Sequence, residues 1–276
     1  MKRSTTFWIL AFIITIASAY YQRRTGPTYP IRGKVTANAK QLSYKLERSH
    51  GGESNCPVQI NTNDPAVSGM VEWKRHGVDE AFLQVPMTFS GGTLSAELPH
   101  QPPAGKLDYR VILRANSESL VLPEGGPAVI RFKGDVPNCI LYPHILAMFV
   151  AMFLSTRTGL EIFSPSPRLK ALTYWTLGFL VVGGMILGPI MQKYAFGTYW
   201  TGWPAGIDLT DNKTMVALLG WIVAAVALYK AKRPEIWAAA AAVVLLAVYM
   251  IPHSVLGSEL DYNNQKQPRI SQITRN

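Results

Sequence analysis

The chain has few charged residues, which make up 16% of its 276 positions, whereas soluble proteins average about 25%. The net charge is nevertheless +10, and an excess of basic residues is common in nucleic-acid-binding proteins. Across residues 31–135 the basic and acidic residues nearly cancel, and no basic stretch with interleaved aromatic residues is present. We therefore predict no nucleic-acid partner.

Sequence motifs that mark well-known catalytic sites are also missing. The chain contains no P-loop, no G-x-S-x-G, no H-E-x-x-H and no C-x-x-C-H, which argues against P-loop nucleotide hydrolysis, α/β-hydrolase chemistry, zincin-type proteolysis and covalent c-type haem. We accordingly assign no catalytic residues, and the sequence favours a protein that is not an enzyme.

Long apolar runs are what the chain has in abundance. A membrane-spanning helix needs about 20 residues, and five runs approach or exceed that length: Phe7–Tyr21, Ile140–Ile162, Ala171–Gln192, Thr214–Tyr229 and Glu235–Pro252. Basic residues flank the runs on one side, with Lys2 and Arg3, Arg168 and Lys170, and Lys230 to Arg233. This pattern predicts a bacterial inner-membrane protein with a cytoplasmic amino terminus and a periplasmic carboxyl terminus.

The first apolar run has two interpretations. It is short for a span, and it ends in Ala17-Ser18-Ala19, which is similar to a signal-peptidase site. It is either an uncleaved anchor or a cleaved signal segment, and in both cases the next domain is exported. The predicted organisation is a membrane anchor over residues 1–28, a periplasmic domain over 29–137, a four-helix transmembrane domain over 138–254 and a periplasmic tail over 255–276.

The exported domain is predicted to be all-β. Gly, Pro and Asn turn signals separate short segments that alternate between apolar and polar residues, a pattern that indicates a β-sandwich. The predicted strands are Ile31–Val35, Leu42–Arg48, Val58–Asn61, Gly69–Arg75, Ala81–Phe89, Thr93–Leu98, Leu107–Arg114, Ser119–Leu122 and Ala128–Lys133.

One part of this domain resembles immunoglobulin-like and fibronectin-III-like domains. The turn Pro103-Ala104-Gly105-Lys106 leads into a strand that carries Tyr109, as in the late strands of those folds. The resemblance implies an immunoglobulin-like sandwich. It implies no function, because such folds host many.

The two cysteines, Cys56 and Cys139, both lie on the exported side in this topology. An oxidising compartment permits a disulfide between them, which would tie an early loop of the sandwich to the membrane junction. Two free, buried thiols are the alternative.

Two histidines lie at the outer ends of predicted spans. His144 begins one span and His253 follows another, so both imidazoles are expected at a similar depth. Such a pair could ligate haem b or a metal ion. Met148 follows His144 by four residues and would share its helix face. A hydrogen bond from each histidine to a backbone carbonyl or a lipid headgroup is the alternative.

The loop between the third and fourth spans adds further candidates at the same side. Asp208 and Asp211 could join His144 and His253 in a site for a divalent cation such as zinc or manganese. Thr210 or Asp211 could instead cap the next helix. Tyr199, Trp200 and Trp203 are typical of an aromatic belt at the membrane interface.

Two spacings within the spans concern packing. Gly184 and Gly188 form a small-xxx-small pair that allows close approach of another helix. Arg157 and Glu161 are four residues apart near the inner end of their span, and we expect them to form an exposed ion pair.

The sequence therefore predicts an integral membrane accessory protein, a subunit of a larger membrane complex, whose periplasmic sandwich binds a partner. The first alternative is a haem- or quinone-linked electron-transfer subunit with His144 and His253 as ligands. The second alternative is a metal-dependent membrane protein that uses the outer His and Asp cluster.

Overall fold

The computed structural model of the protein describes residues 3–116, 118–253, 255, 257 and 259–262. Its backbone separates into two units. The helical unit takes its described residues from 1–29 and 135–258, and the β-rich unit takes its described residues from 30–134 and 259–276. The first helix of the chain thus belongs with the helices that come after the strands.

The strands of the β-rich unit agree with the alternating pattern of the sequence, apart from one that was not predicted, β3. Each predicted strand is confirmed to within about two residues, except Ala81–Phe89, which is divided in two. The bounds are β1 Ile31–Ala37, β2 Lys40–Leu46, β3 Ser49–Gly51, β4 Cys56–Asn61, β5 Ser68–Arg75, β6 Leu83–Pro86, β7 Thr88–Ser90, β8 Thr93–Leu98, β9 Lys106–Ala115, β10 Glu118–Leu122 and β11 Ala128–Lys133.

Three sheets surround a single hydrophobic core in this unit. The largest has the order β3-β11-β9-β5-β6, with β10 also paired to β9; the others are β4-β8-β7 and the hairpin β1-β2. Most neighbouring pairs are antiparallel, but β3 runs parallel to β11. The arrangement is sandwich-like, because strands from all three sheets contribute buried side chains to the same core.

The predicted strand Ala81–Phe89 is divided because the chain passes from one sheet to another. β6 pairs with β5, whereas β7 pairs with β8. Between them the buried Met87 donates its N–H to the Gly69 carbonyl at 2.9 Å. The sequence pattern gives no sign of this change of partner, because side-chain alternation continues through it.

The described part of the chain contains four helices that are long and apolar enough to cross a membrane, and a shorter apolar helix comes after them. The first is longer than the apolar run predicted, since polar residues extend it at both ends. The bounds are α1 Arg3–Thr25, α2 Asn138–Gly159, α3 Leu169–Leu180, α4 Gly188–Phe196, α5 Leu209–Lys230 and α6 Pro234–Met250.

A π-helical segment, Val181–Leu187, joins α3 to α4 within one continuous span. A 3-10 turn, Leu160–Phe163, extends α2 in the same way. π-helical segments are rare and are often found at functional sites. The core of the helical unit is built largely from alanine around the fully buried Trp221, which allows the helices to approach closely.

The helix α1 packs against the other helices of its unit. Ala11, Thr15 and Ser18 form its buried stripe, and the Trp8 ring lies 5.2 Å from the ring of Phe153 on α2. Near the other end, the Gln22 side chain donates to the carbonyl of Tyr249 on α6 at 2.9 Å. The helical unit is therefore a bundle of α1 together with the four predicted spans.

The residues after the last helix return to the β-rich unit. The Leu260 N–H donates to the Ala104 carbonyl at 3.2 Å, and the Tyr262 hydroxyl donates to the Lys106 carbonyl at 3.0 Å. Lys106 and Glu259 form an ion pair. Residues 259–262 of the predicted free tail are thus part of the β-rich unit.

Candidate functional site

We define the mouth cluster as four residues that the sequence offered as candidates, His144, Asp208, Asp211 and His253, together with Lys213. His253 interacts electrostatically with Lys213, His144 and Asp208. Lys213 was not predicted as a member. It is only 7% exposed, and its sequence context, in the second turn after a helix cap, gave no sign of burial.

Asp211 holds the loop before α5 in place. Its Oδ2 accepts hydrogen bonds from the Thr201 N–H at 2.7 Å, the Thr201 hydroxyl at 3.2 Å and the Gly202 N–H at 3.0 Å. A Cβ atom on Gly202 would lie 2.6 Å from the Asp211 Cβ, so this close approach requires glycine. Asp211 acts here as a structural clamp.

Asp208 caps the amino terminus of α5. Its Oδ1 accepts from the Thr210 N–H at 2.8 Å, which satisfies one of the backbone donors left unpaired at a helix start. Asn212 also binds the loop before α5, because its side-chain oxygen accepts a hydrogen bond from the Trp203 N–H at 2.7 Å. The prediction that Thr210 or Asp211 caps this helix is therefore wrong, since the cap is Asp208.

Lys213 links α5 to the end of α6. Its Nζ donates to the Ile251 carbonyl at 2.6 Å, and Ile251 is the residue that caps α6. The last carbonyls of a helix lack intrahelical partners and carry partial negative charge. The ammonium group therefore gives this carbonyl a hydrogen-bond donor, and its positive charge interacts favourably with the negative end of the α6 dipole.

His144 is held by the π-helical segment. Its Nδ1 lies 2.9 Å from the Gly183 carbonyl, and that carbonyl also accepts the N–H of Gly188. A carbonyl can only accept, so Nδ1 carries the hydrogen and Nε2 is the acceptor of the neutral ring. The backbone-bonded alternative for His144 agrees with this contact.

Met148 lies on the same helix face as His144, as predicted, but it serves packing. A Cβ atom on Gly183 would lie 3.0 Å from the Met148 sulfur. The thioether thus fills the space that the glycine leaves, at the edge of the bundle core. Its predicted contribution as a cofactor ligand finds no support in these contacts.

No group of three or more His, Cys, Asp or Glu side chains is placed to hold a metal ion within the described residues. The predicted set of His144, His253, Asp208 and Asp211 does not make such a group. The two carboxylates accept backbone N–H groups, and the Lys213 ammonium interacts with His253. A positive charge at this position repels a metal cation.

Gly184 and Gly188 of the third span lie close to other helices of the same chain. A Cβ atom on Gly184 would lie 2.7 Å from Thr214 Cγ2 on α5, and one on Gly188 would lie 3.7 Å from His144 Cε1. The predicted close helix approach is therefore present, but it is made with α5 and α2. These glycines do not point to a second subunit.

Two of the three loop aromatics are exposed. Tyr199 and Trp203 are exposed, and the Trp200 ring N–H donates to the Trp203 carbonyl at 3.1 Å. Lys193 lies over the Tyr199 ring. This arrangement is compatible with an aromatic belt, which stays a prediction.

The ion pair of Arg157 and Glu161 was predicted to be exposed, and this prediction is wrong because the pair is buried. Arg157 Nη1 donates to Glu161 at 2.5 Å, and the Arg168 N–H donates to the other carboxylate oxygen at 2.8 Å. The Trp8 ring of α1 lies 5.0 Å from the guanidinium carbon. The covering helix lies about 150 positions away, so local spacing could not show it.

Both cysteines are free thiols in the structure. Cys56 points into the core of the β-rich unit, as the alternation of β4 requires, whereas Cys139 is exposed in the first turn of α2. Of the two thiols only Cys56 matches the buried alternative. The cysteines belong to different units, and the disulfide stays a prediction.

No protein-family model matches the chain, and a search of curated proteins found no match either.

Proposed function

We propose that the protein is a membrane-anchored interaction subunit that binds a partner protein through an exposed strand edge of its β-rich unit. The observation that carries the proposal is the edge formed by β6 and β7. Both are the last strands of their sheets in the described part of the chain, since β6 pairs with β5 and β7 with β8.

This edge lacks the protection that sheets usually have. Residues 81–90 contain no charged side chain. Leu83 is 52% exposed and Phe89 is 40% exposed. Natural proteins commonly cover such edges or place lysine on them, because unpaired N–H and C=O groups recruit other strands. Pro86 has no N–H to donate, and the Met87 N–H is already bound to the Gly69 carbonyl.

An extended segment of a partner protein suits this edge. Added strands form main-chain hydrogen bonds with an exposed edge and place alternate side chains against apolar positions. Leu83 and Phe89 supply such positions at the two ends. The resulting interaction requires no reactive group. In the mouth cluster the side chains of Asp211, Lys213 and His144 are bound to the chain's own backbone.

The orientation that we propose places the β-rich unit and the carboxyl end on the same, periplasmic side of a bacterial inner membrane. The basic residues that flank the spans support it. The assignment of residues 259–262 to the β-rich unit agrees with a carboxyl end on the exported side. We further propose an immunoglobulin-like topology, supported by the buried Tyr109, whose hydroxyl donates to the Glu47 carbonyl at 2.7 Å.

Charged substitutions at the edge test the proposal. Leu83→Lys and Phe89→Lys should abolish stoichiometric co-purification of the partner from native membranes. Val121→Lys is the matched control, since Val121 is 42% exposed but lies on β10. Equal partner recovery with all three variants, or equal loss, would rule out the edge as the binding surface.

The second candidate function, haem- or quinone-linked electron transfer, is favoured by one contact. Histidine ligands usually donate their second ring N–H to a backbone carbonyl, and His144 does so with Gly183. Reduced-minus-oxidised absorption spectra of the purified protein test this candidate. A Soret band with sharp α and β bands that His144→Ala removes would favour it over the interaction subunit.

A further inference from the structure

A shallow, open groove lies on the β-rich unit and shares no residue with the mouth cluster or with the β6–β7 edge. Its volume is about 650 Å³, within the range of about 300–1,000 Å³ that is usual for small-molecule sites. Residues of two different sheets line it, which places it at the seam between the β1-β2 hairpin and the β4-β8-β7 sheet.

One wall of the groove is cationic. Arg32 and Lys34 on β1 and Lys45 on β2 line it. Arg32 and Lys45 are direct cross-strand partners, and like charges in that position are destabilising. Glu47 offsets Lys45, but neither Arg32 nor Lys34 forms an ion pair with any residue that the structure describes. The β-rich unit therefore retains a cationic pair that an anion would stabilise.

The opposite wall offers uncharged hydrogen-bonding groups. Gln59 and Asn61 alternate outward on β4, and Thr93 faces Asn61 across the ladder from β8. All three line the groove. Amides and hydroxyls both donate and accept, so this wall recognises a ligand with several hydroxyl groups better than it recognises a simple anion.

The cationic wall is rigid. Gly33 lies between Arg32 and Lys34, and a Cβ atom there would lie 2.4 Å from the Tyr44 hydroxyl oxygen. The Tyr44 ring therefore rests directly on the glycine and packs against the core of the unit. Such packing fixes the strand that carries the two cations before any ligand binds, which lowers the entropic cost of binding.

We infer that this groove binds an anionic oligosaccharide. An acidic group of the saccharide pairs with Arg32, Lys34 and Lys45, and its hydroxyl groups hydrogen-bond to Gln59, Asn61 and Thr93. A lone phosphate would use only the cationic wall and would leave the amide wall and most of the volume unfilled. The inference does not depend on the strand-edge interaction, because the two surfaces share no lining residue.

Calorimetric titration of the detergent-purified full-length protein tests the inference. The probes are trigalacturonic acid, the neutral trisaccharide maltotriose, inorganic phosphate and hexaglutamate. We expect trigalacturonic acid to bind most tightly, and more weakly as the salt concentration rises. Lys34→Ala and Asn61→Ala should each weaken binding by up to about fivefold, since a solvent-exposed contact contributes at most about 1 kcal/mol.

Lys133→Ala is the matched control, because Lys133 is an exposed lysine on β11 of the other sheet, and it should leave the affinity unchanged. Equal binding of maltotriose would show that charge is not recognised. Equal binding of phosphate or hexaglutamate would show a general anion site or an acidic-peptide site. Any of these results, or no binding of trigalacturonic acid, would overturn the inference. Continued protection of Cys56 from alkylation would confirm that the variants are folded.

Discussion

At the scale of single residues, Cys56 reports on the integrity of the β-rich unit. Burial raises the pKa of its thiol to about 11, with a smaller contribution from Glu47. At pH 8 only about one thiol in a thousand is then ionised, and the thiolate is the reactive form. Cys139 is exposed by comparison.

We therefore expect a maleimide to label Cys139 in the folded protein and Cys56 only after unfolding. Peptide mass spectrometry under non-reducing conditions measures both sites, and a Cys139→Ser variant isolates Cys56. If neither cysteine reacts in denaturant until a reductant is added, the two are joined by the disulfide and are not free.

Glu80 makes the β-rich unit sensitive to acid. The Arg75 guanidinium holds the pKa of the Glu80 carboxyl below its usual value of 4.5, through contacts of 2.6 to 3.2 Å. Because the folded-state pKa is lowered, the stabilisation is complete above the unfolded-state value and is lost as the pH falls through the folded-state value.

Glu80→Gln should lower the unfolding free energy by about 0.5–1 kcal/mol at pH 7, the upper range for a solvent-screened pair. The difference from the wild type should begin to shrink at the usual pKa of the carboxyl and disappear below the lowered folded-state pKa. Exposure of Cys56 to a dipyridyl disulfide measures unfolding at each pH. Glu53→Gln, at an exposed site, is the control, and an equal effect of the two variants at pH 7 would contradict the role of Arg75.

At the scale of the elements, the contact between the π-helical segment and α5 requires glycine at one position. A Cβ atom on Gly184 would lie 2.7 Å from Thr214 Cγ2, whereas one on Gly178 would meet nothing within 4 Å. Overpacking typically costs about 1–3 kcal/mol, but alanine in place of an unconstrained helical glycine stabilises by up to about 1 kcal/mol.

Gly184→Ala should therefore lower the thermal stability in detergent, and Gly178→Ala should leave it unchanged or raise it. Thr214→Ser removes the obstructing methyl group and keeps the hydroxyl that donates to the Thr210 carbonyl. We expect it to rescue Gly184→Ala. Failure of this rescue would show that the cost arises elsewhere.

The buried pair of Arg157 and Glu161 connects α1 to the rest of the bundle. Removing one partner of a buried ion pair costs about 3–5 kcal/mol, because the other charge remains buried. The pair of Arg233 and Glu235 is far more exposed, with the arginine side chain 70% accessible.

Glu161→Gln should thus lower the melting temperature of the bundle strongly, and Glu235→Gln should change it little. Thermal unfolding in detergent, monitored by circular dichroism at a helix wavelength, compares the two variants. A similar small effect from both would mean that the pair at Arg157 is not desolvated.

The sequence predicted the features that depend on neighbouring residues and missed those that depend on residues far apart in the chain. Alternation is local, and it located β4, β8 and β9 because their side chains face one core. Burial of Arg157 and Lys213 depends on α1 and on the end of α6, which are distant in sequence. No local pattern encodes such cover, so the ion pair and the lysine of the mouth cluster were missed.

At the scale of the whole molecule, both units are built from discontinuous parts of the chain. The helical unit includes α1 from before the strands, and the β-rich unit includes residues 259–262 from after the last helix. The chain therefore crosses between the units three times. Residues 30–134 are therefore joined at both ends to helices that are long and apolar enough to cross a membrane, α1 and α2.

Site-specific photo-crosslinking in native membranes tests the proposed strand-edge interaction most directly. A photoreactive residue at Leu83 or Phe89 should yield one crosslinked partner, and a photoreactive residue at Val121 should not. The partner peptide that is joined to position 83 should be an extended segment, as strand addition requires. Crosslinks from Val121 alone, or none from either edge position while the protein is folded and abundant, would contradict the edge as the interaction surface.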